Sequence, residues 1–210
     1  MNKKIITKVI VVTLLVVLLF TFGACSKQKG YVKEMKNSFV ENKIDKLIVR
    51  IQVVDGNISL LGEYNITSRN GVYEVQYTYQ KQNTFTMQNG EIVAPDEEIS
   101  YFSGTATVEN GVITQYSGDP LNIKFVRLKL SVLNFDVANF GTIDCEYQYE
   151  GLFKYSNTYR GEITNPKAFA GIDTDKMTFT AVCGAGIDYN TFSMSYVDDN
   201  NVNTVITYLV

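Results

Sequence analysis

Three cysteines, two acidic clusters, a short glycine-rich run and a set of tyrosines are the residues of this 210-residue chain with types and spacing suited to chemistry. Cys25 directly follows Phe22-Gly23-Ala24 at the end of an apolar run. Cys145 and Cys183 lie in stretches of alternating polarity. By a period of two, Cys145 shares a strand face with Ile143 and Tyr147, and Cys183 shares one with Met177 and Phe179. Two thiols on apolar faces are candidates for a disulfide, and equally for two separate buried small hydrophobes. No basic neighbour is in place to turn either into a nucleophilic thiolate. The chain has no His and no Trp. Lack of His excludes Ser-His-Asp and Cys-His catalysis and His-ligated zinc or iron.

The remaining candidates are weaker. Asp96-Glu97-Glu98 are adjacent carboxylates, whereas acid–base work needs two carboxylates held at a defined separation. Asp198-Asp199-Asn200-Asn201 offers oxygens suited to a hard cation, but no distal Glu follows at calcium-loop spacing, and Asx residues suit turns. Cys183-Gly184-Ala185-Gly186 lacks the Lys and the strand-to-helix setting of a phosphate cradle and reads as a bulge or loose turn. No catalytic residue, metal site or cofactor is expected. Tyr64, Tyr73, Tyr77 and Tyr79, with Tyr147 and Tyr149, fall on predicted inward strand faces. Such a face is either packed core or the lining of a cavity for an amphiphile, which makes the first four candidate ligand-facing residues.

The elements that must position these residues are mostly strands. Tyr31 to Asn42 has Tyr31, Val32, Met35, Phe39 and Val40 at helical spacing, with Lys33, Glu34, Lys36 and Asn37 on the other side. Strands are then predicted at 47–54, 58–68, 72–80, 84–88, 91–94, 101–108, 112–116, 143–150, 155–164, 177–183, 189–197 and 202–209. Asp55-Gly56, Asn70-Gly71, Asn89-Gly90 and Asn110-Gly111 supply the positive φ angles of tight hairpins. Asn165 to Gly171 reads as a short capped turn. Residues 119–140 are ambiguous. Asp119-Pro120 suits a helix start, and Leu121, Phe125, Leu128, Val132 and Phe135 repeat at helical spacing, yet the Ile, Phe and Val content favours extended chain. Asp136–Phe140 before Gly141 is a candidate helical turn. The expected fold is mainly β (α+β): an antiparallel curved sheet or half-barrel, with a short N-terminal helix and room for one more helix packed on it.

The N-terminus carries the strongest signal. Lys3, Lys4 and Lys8 precede the apolar run Val9–Phe22, which the small residues Gly23-Ala24 and then Cys25 close. This is the layout of a secretory signal. The run is about 14 residues, short of the ~20 that span a bilayer as a helix. The stretch resembles the lipobox of bacterial lipoproteins, with Phe22 where that family more often has Leu. The resemblance implies cleavage before Cys25, thioether lipidation of its sulfur, acylation of its new amino group with palmitate-type chains, and residence on the extracytoplasmic face of the cell membrane. The division that follows is a signal peptide over 1–24, the lipidated Cys25 and tether over 25–30, and one β-rich domain over 31–210.

The three signal lysines are the only charges before Cys25, so the remainder carries 16 basic against 22 acidic residues. A net-acidic domain without an obvious basic run is not expected to bind nucleic acid, or anionic lipid through its overall field. Two functions are expected of such a chain. One is a non-catalytic binding or interaction module, with a hydrophobic small-molecule or protein partner. The other is a carrier of lipid or another hydrophobe in a half-barrel cavity. The globular part is similar to the half-barrels of lipoprotein-carrier proteins in outline only, which assigns no binding residues.

Overall fold

A computed structural model describes residues 26–39, 46–56, 58–83, 86–88, 91–93, 100–149 and 154–210. The expected signal peptide, Cys25 and the Asp96–Glu98 cluster lie outside the described residues. Helix α1 covers 26–38. The strands are β1 (Lys46–Asp55), β2 (Ile58–Arg69), β3 (Val72–Asn83), β4 (Thr86–Gln88), β5 (Glu91–Val93), β6 (Ser100–Glu109), β7 (Val112–Gly118), β8 (Phe140–Tyr149), β9 (Tyr155–Ile163), β10 (Met177–Ala185), β11 (Thr191–Val197) and β12 (Asn203–Leu209). Helix α2 (Pro166–Ala170) joins β9 to β10.

Ten strands form one antiparallel sheet in the order β7-β6-β3-β2-β1-β12-β11-β10-β9-β8, and β4-β5 form a separate hairpin. The mainly β, antiparallel class is the one expected, but the sheet is open and uncurled, which corrects the curved or half-barrel form. Two meanders leave from its centre, where β1 pairs with β12, and end at the edges β7 and β8. Asn70 (φ 52°) with Gly71 (φ 81°), and Asn110 (φ 52°) with Gly111 (φ 78°), make the two-residue turns that set register in the first meander. In the second, Asp198 Oδ1 accepts from the Asn200 and Val202 amides, so the acidic cluster there is a turn.

One face of the sheet is the core. Val49, Ile51, Tyr64, Ile66, Val75 and Tyr77 point into it from β1–β3, and Tyr159, Phe179, Phe192 and Tyr208 from β9–β12. The inward glycines Gly62 and Gly104 make room for rings. A Cβ on Gly62 would lie 2.8 Å from the Tyr64 ring, and one on Gly104 would lie 2.7 Å from the Tyr77 ring.

Residues 119–139 cross this face from one edge strand to the other, and of the helical and irregular readings left open for that stretch they take the irregular one. The contacts march across the sheet. The Tyr77 hydroxyl donates to the Asp119 carbonyl, Tyr64 to Asn122 Oδ1, and Tyr208 to the Arg127 carbonyl at 2.9 Å, while Phe135 stacks on Phe140 at the start of β8. Nine strand spacings amount to about 43 Å. An α-helix of this length would reach only about 31 Å. The segment uses 3-10 turns instead, Phe125–Leu128, Leu130–Val132 and Val137–Asn139, linked by extended residues. Asp119 does not cap a helix; its Oδ2 accepts from the Ser103 amide. Asp136 caps the last 3-10 turn through the Ala138 amide, but that turn runs into β8, and Gly141 belongs to the strand.

Helices α1 and α2 complete the layer. Val32 and Met35 of α1 and Phe39 just after it are buried, and Phe39 meets Phe135 and Phe192. Phe169 of α2 packs against Phe135, Phe140 and Phe192. Asn165 caps α2, and Gly171 (φ 66°) closes it, as the capped turn required. Residues 26–30, expected as a tether, are helical, and Gln28 Nε2 donates to the Gly141 carbonyl at 2.5 Å.

Candidate functional site

The sheet face turned away from the helices holds a concavity. It is a groove of about 630 Å³ across β12, β1, β2, β3 and β6. Strand alternation puts every second residue there, and register aligns them in two rows. One row runs Thr207, Arg50, Glu63, Thr78. The next runs Val205, Gln52, Leu61, Gln80, Tyr101. Arg50 Nε donates to Glu63 Oε2 at 2.9 Å, so the charges in the groove cancel. Tyr101 is 73% exposed at one end, and Leu61 and Val205 give the second row apolar patches. A floor of amides, hydroxyls and one internal ion pair, with an aromatic ring at its margin, can hydrogen-bond a neutral ligand and lay an apolar surface against the ring. Glu63 is the only carboxylate among the described lining residues, so the two-carboxylate arrangement of acid–base catalysis is not formed by them.

Another concavity lies on the helical side, between β1, β2, β11, β12 and the crossing segment. It measures about 330 Å³. Ile51, Val53, Leu60, Ile123 and Ile206 line it, and Lys124 and Arg127 also border it.

Of the tyrosines expected to face a ligand, Tyr64 and Tyr77 are core residues, 1% and 2% exposed, with hydroxyls taken by the crossing segment. Burial pushes Tyr64 up to about 12 and also raises Tyr77. The Tyr64 ring nonetheless forms part of the wall of the smaller cavity. Tyr73 is half-buried against Phe125 with Lys129 Nζ 5.0 Å from its ring centre, and Tyr79 stacks on Phe102. Tyr79 is also among the residues lining the groove. Tyr147 and Tyr149 share the predicted face but are exposed, because they lie near the end of edge strand β8, beyond the covered part of the face.

Cys145 and Cys183 are free thiols, the first exposed and the second buried. This corrects the disulfide reading and the apolar setting of Cys145. Cys145 pairs with Tyr159 on β9, which pairs with Ala181 on β10, and Cys183 lies two residues further along. Two strand spacings alone are about 9.5 Å, beyond the ~7 Å Cα limit for a bridge. Burial, then the Glu34 carboxylate, raises the Cys145 thiol, and burial pushes Cys183 up to about 11. Neither is poised as a thiolate. Gly184 marks tight strand packing, since a Cβ there would lie 2.0 Å from the Tyr155 carbonyl oxygen. No cluster among the described residues has the three His, Cys, Asp or Glu side chains that would hold a metal.

Two features escaped the sequence reading. The groove rows were legible only as a wet face, because their neighbours come from five strands. The second feature is the outer surface of α1. Its exposed residues are Ser26, Lys27, Lys29, Gly30, Lys33, Lys36 and Asn37. The signal was present as Lys29, Lys33 and Lys36 at i, i+4, i+7, but starting the helix at Tyr31 cut the series.

Comparison with models of known protein families gives no match, and comparison with curated protein sequences gives none either.

Proposed function

We propose that this chain is a lipid-anchored extracytoplasmic binding module that holds a neutral, hydrogen-bonding ligand in the groove over β12-β1-β2-β3-β6, without catalysis. The observation that carries the reading is which face is filled. A hydrophobe carrier needs its cavity on the apolar face, and that face is covered by α1, the crossing segment and α2 around Phe135, Phe169 and Phe192. The groove of about 630 Å³ is on the polar face, with its ion pair internally neutralised. The anchoring half of the proposal rests on the sequence around Cys25.

The carrier remains the second reading, on one observation. The cavity of about 330 Å³ has an apolar wall bordered by Lys124 and Arg127, a combination that suits a small amphiphile with an anionic head.

Native mass spectrometry of the full chain, gently extracted from membranes, tests both. The binding-module reading expects a retained small molecule that Leu61→Arg, an exposed change on the polar face, displaces. A ligand-free mass overturns it. A ligand that survives Leu61→Arg but is lost in Ile123→Trp, which fills the inner cavity, overturns it in favour of the carrier. Palmitate labelling of the wild type and of Cys25→Ala tests the anchor: label is expected in the first and not in the second.

A further inference from the structure

We infer that the outer surface of α1 is a contact surface for anionic lipid headgroups, along which the helix lies. The inference rests on the anchored reading for its geometry, and on α1 for its chemistry. Four lysines, Lys27, Lys29, Lys33 and Lys36, make up more than half of the helix's exposed residues, and the others are uncharged. Among the described residues none of the four has an ion-pair partner. The single acid of the helix, Glu34, is half-buried and turned inward, where it accepts from Asn157 Nδ2 at 2.8 Å. Lys29, Lys33 and Lys36 recur at i, i+4, i+7 and so form one stripe along the axis. The rest of the chain beyond Cys25 is net acidic, so this face reverses the sign of the molecule locally.

Position selects the occupant. Cys25 immediately precedes Ser26 in sequence. At about 1.5 Å per residue, Lys29 stands about 4.5 Å along the axis from Ser26 and Lys36 about 15 Å. An acyl chain at Cys25 leaves the first lysine within one screening length, about 8 Å at physiological salt, of the headgroups. The stripe then gives the helix a reason to lie down along the surface instead of standing away from it. Lysine stems are long enough to place their ammonium groups among phosphates while the helix backbone stays outside. Gln28, bonded to the Gly141 carbonyl, ties the first turns to β8, so the orientation of α1 is passed to the sheet.

The test uses the full chain in vesicles of phosphatidylcholine alone or mixed with phosphatidylglycerol, labelled briefly with an amine-reactive reagent and mapped by mass. Labelling of Lys29, Lys33 and Lys36 is expected to fall several-fold in the anionic vesicles. It should recover in about 1 M salt, where the screening length shrinks to about 3 Å. Lys167 and Lys176, on α2 and before β10, should label equally in both. Equal labelling of the stripe in the two vesicle types overturns the inference and leaves an acidic protein partner as the alternative occupant. Protection that salt does not relieve overturns it as well. The mass of the peptide containing Cys25 is read in the same digest. An unlipidated Cys25 refutes the anchor alone, and salt-sensitive protection of the stripe in that sample still supports the lipid contact.

Discussion

Asn157 on β9 donates a hydrogen bond to Glu34 on α1 at 2.8 Å, joining residues 123 positions apart. The same carboxylate faces the Tyr159 hydroxyl and both thiols, and together with burial it raises all three. Glu34 is therefore a latch under α1. Asn157→Ala removes its donor and leaves a half-buried carboxylate short of a partner. Stability should drop by about 1–3 kcal/mol. Glu34→Gln, which keeps an acceptor oxygen, should cost less than that. Urea unfolding followed by circular dichroism measures both, and an unmoved midpoint for Asn157→Ala would mean that apolar contacts alone hold the helix.

Phe192 is the hub of the aromatic cluster, in contact with Phe39, Phe135, Phe169 and Phe179 and fully buried. It touches the residue that follows α1, the crossing segment, α2 and β10 at once, so a cavity there cannot collapse by moving one element. Phe192→Ala should cost about 3–5 kcal/mol. Tyr64→Phe, which removes only the hydroxyl bonded to Asn122, should cost about 1 kcal/mol. Matched losses for the two variants would show that the crossing segment is held mainly by its polar contacts.

The strands were legible because their signals are local. Alternation in Val72–Asn83 and the Asn-Gly pairs at 70–71 and 110–111 are decided by neighbours in sequence. Residues 119–139 were not, because their conformation answers to a distance, the width of a ten-stranded sheet, that no window of the chain contains. Sheet curvature is illegible for a related reason. A period of two assigns Tyr64 and Tyr77 to one face but says nothing of what covers that face. Cys145 shows the same limit, since its register partner Tyr159 is buried while Cys145 itself, on the edge strand, is exposed. The groove failed to announce itself because Arg50, Glu63, Thr78 and Tyr101 become neighbours only after pairing.

Alkaline pH should unfold the protein early. Burial raises Tyr64 from 10.0 to about 12 and Cys183 from 9.0 to about 11, and raises Tyr159 and Tyr208 as well. Each is an acid whose neutral form the fold prefers. The stabilisation is fully present below the unfolded values and is lost as pH climbs through the folded ones, because the unfolded chain sheds those protons first. The urea midpoint should therefore fall between pH 9 and pH 12 as these groups titrate. Absorbance of tyrosinate should show Tyr64, Tyr159 and Tyr208 ionising only with unfolding. A midpoint that held steady across that window would contradict their burial.

The thiols should divide by strand position. Cys145 is exposed on edge strand β8, and Cys183 is buried on β10. Iodoacetamide at mildly alkaline pH should alkylate Cys145 in the native protein, slowly because its thiol is raised, and should leave Cys183 untouched until urea is added. Peptide mapping without reductant should recover the two as separate thiols, since β9 stands between them. A recovered Cys145–Cys183 disulfide peptide would require β8 and β10 to approach by several ångströms, and with that the register of β9 against both strands would be wrong.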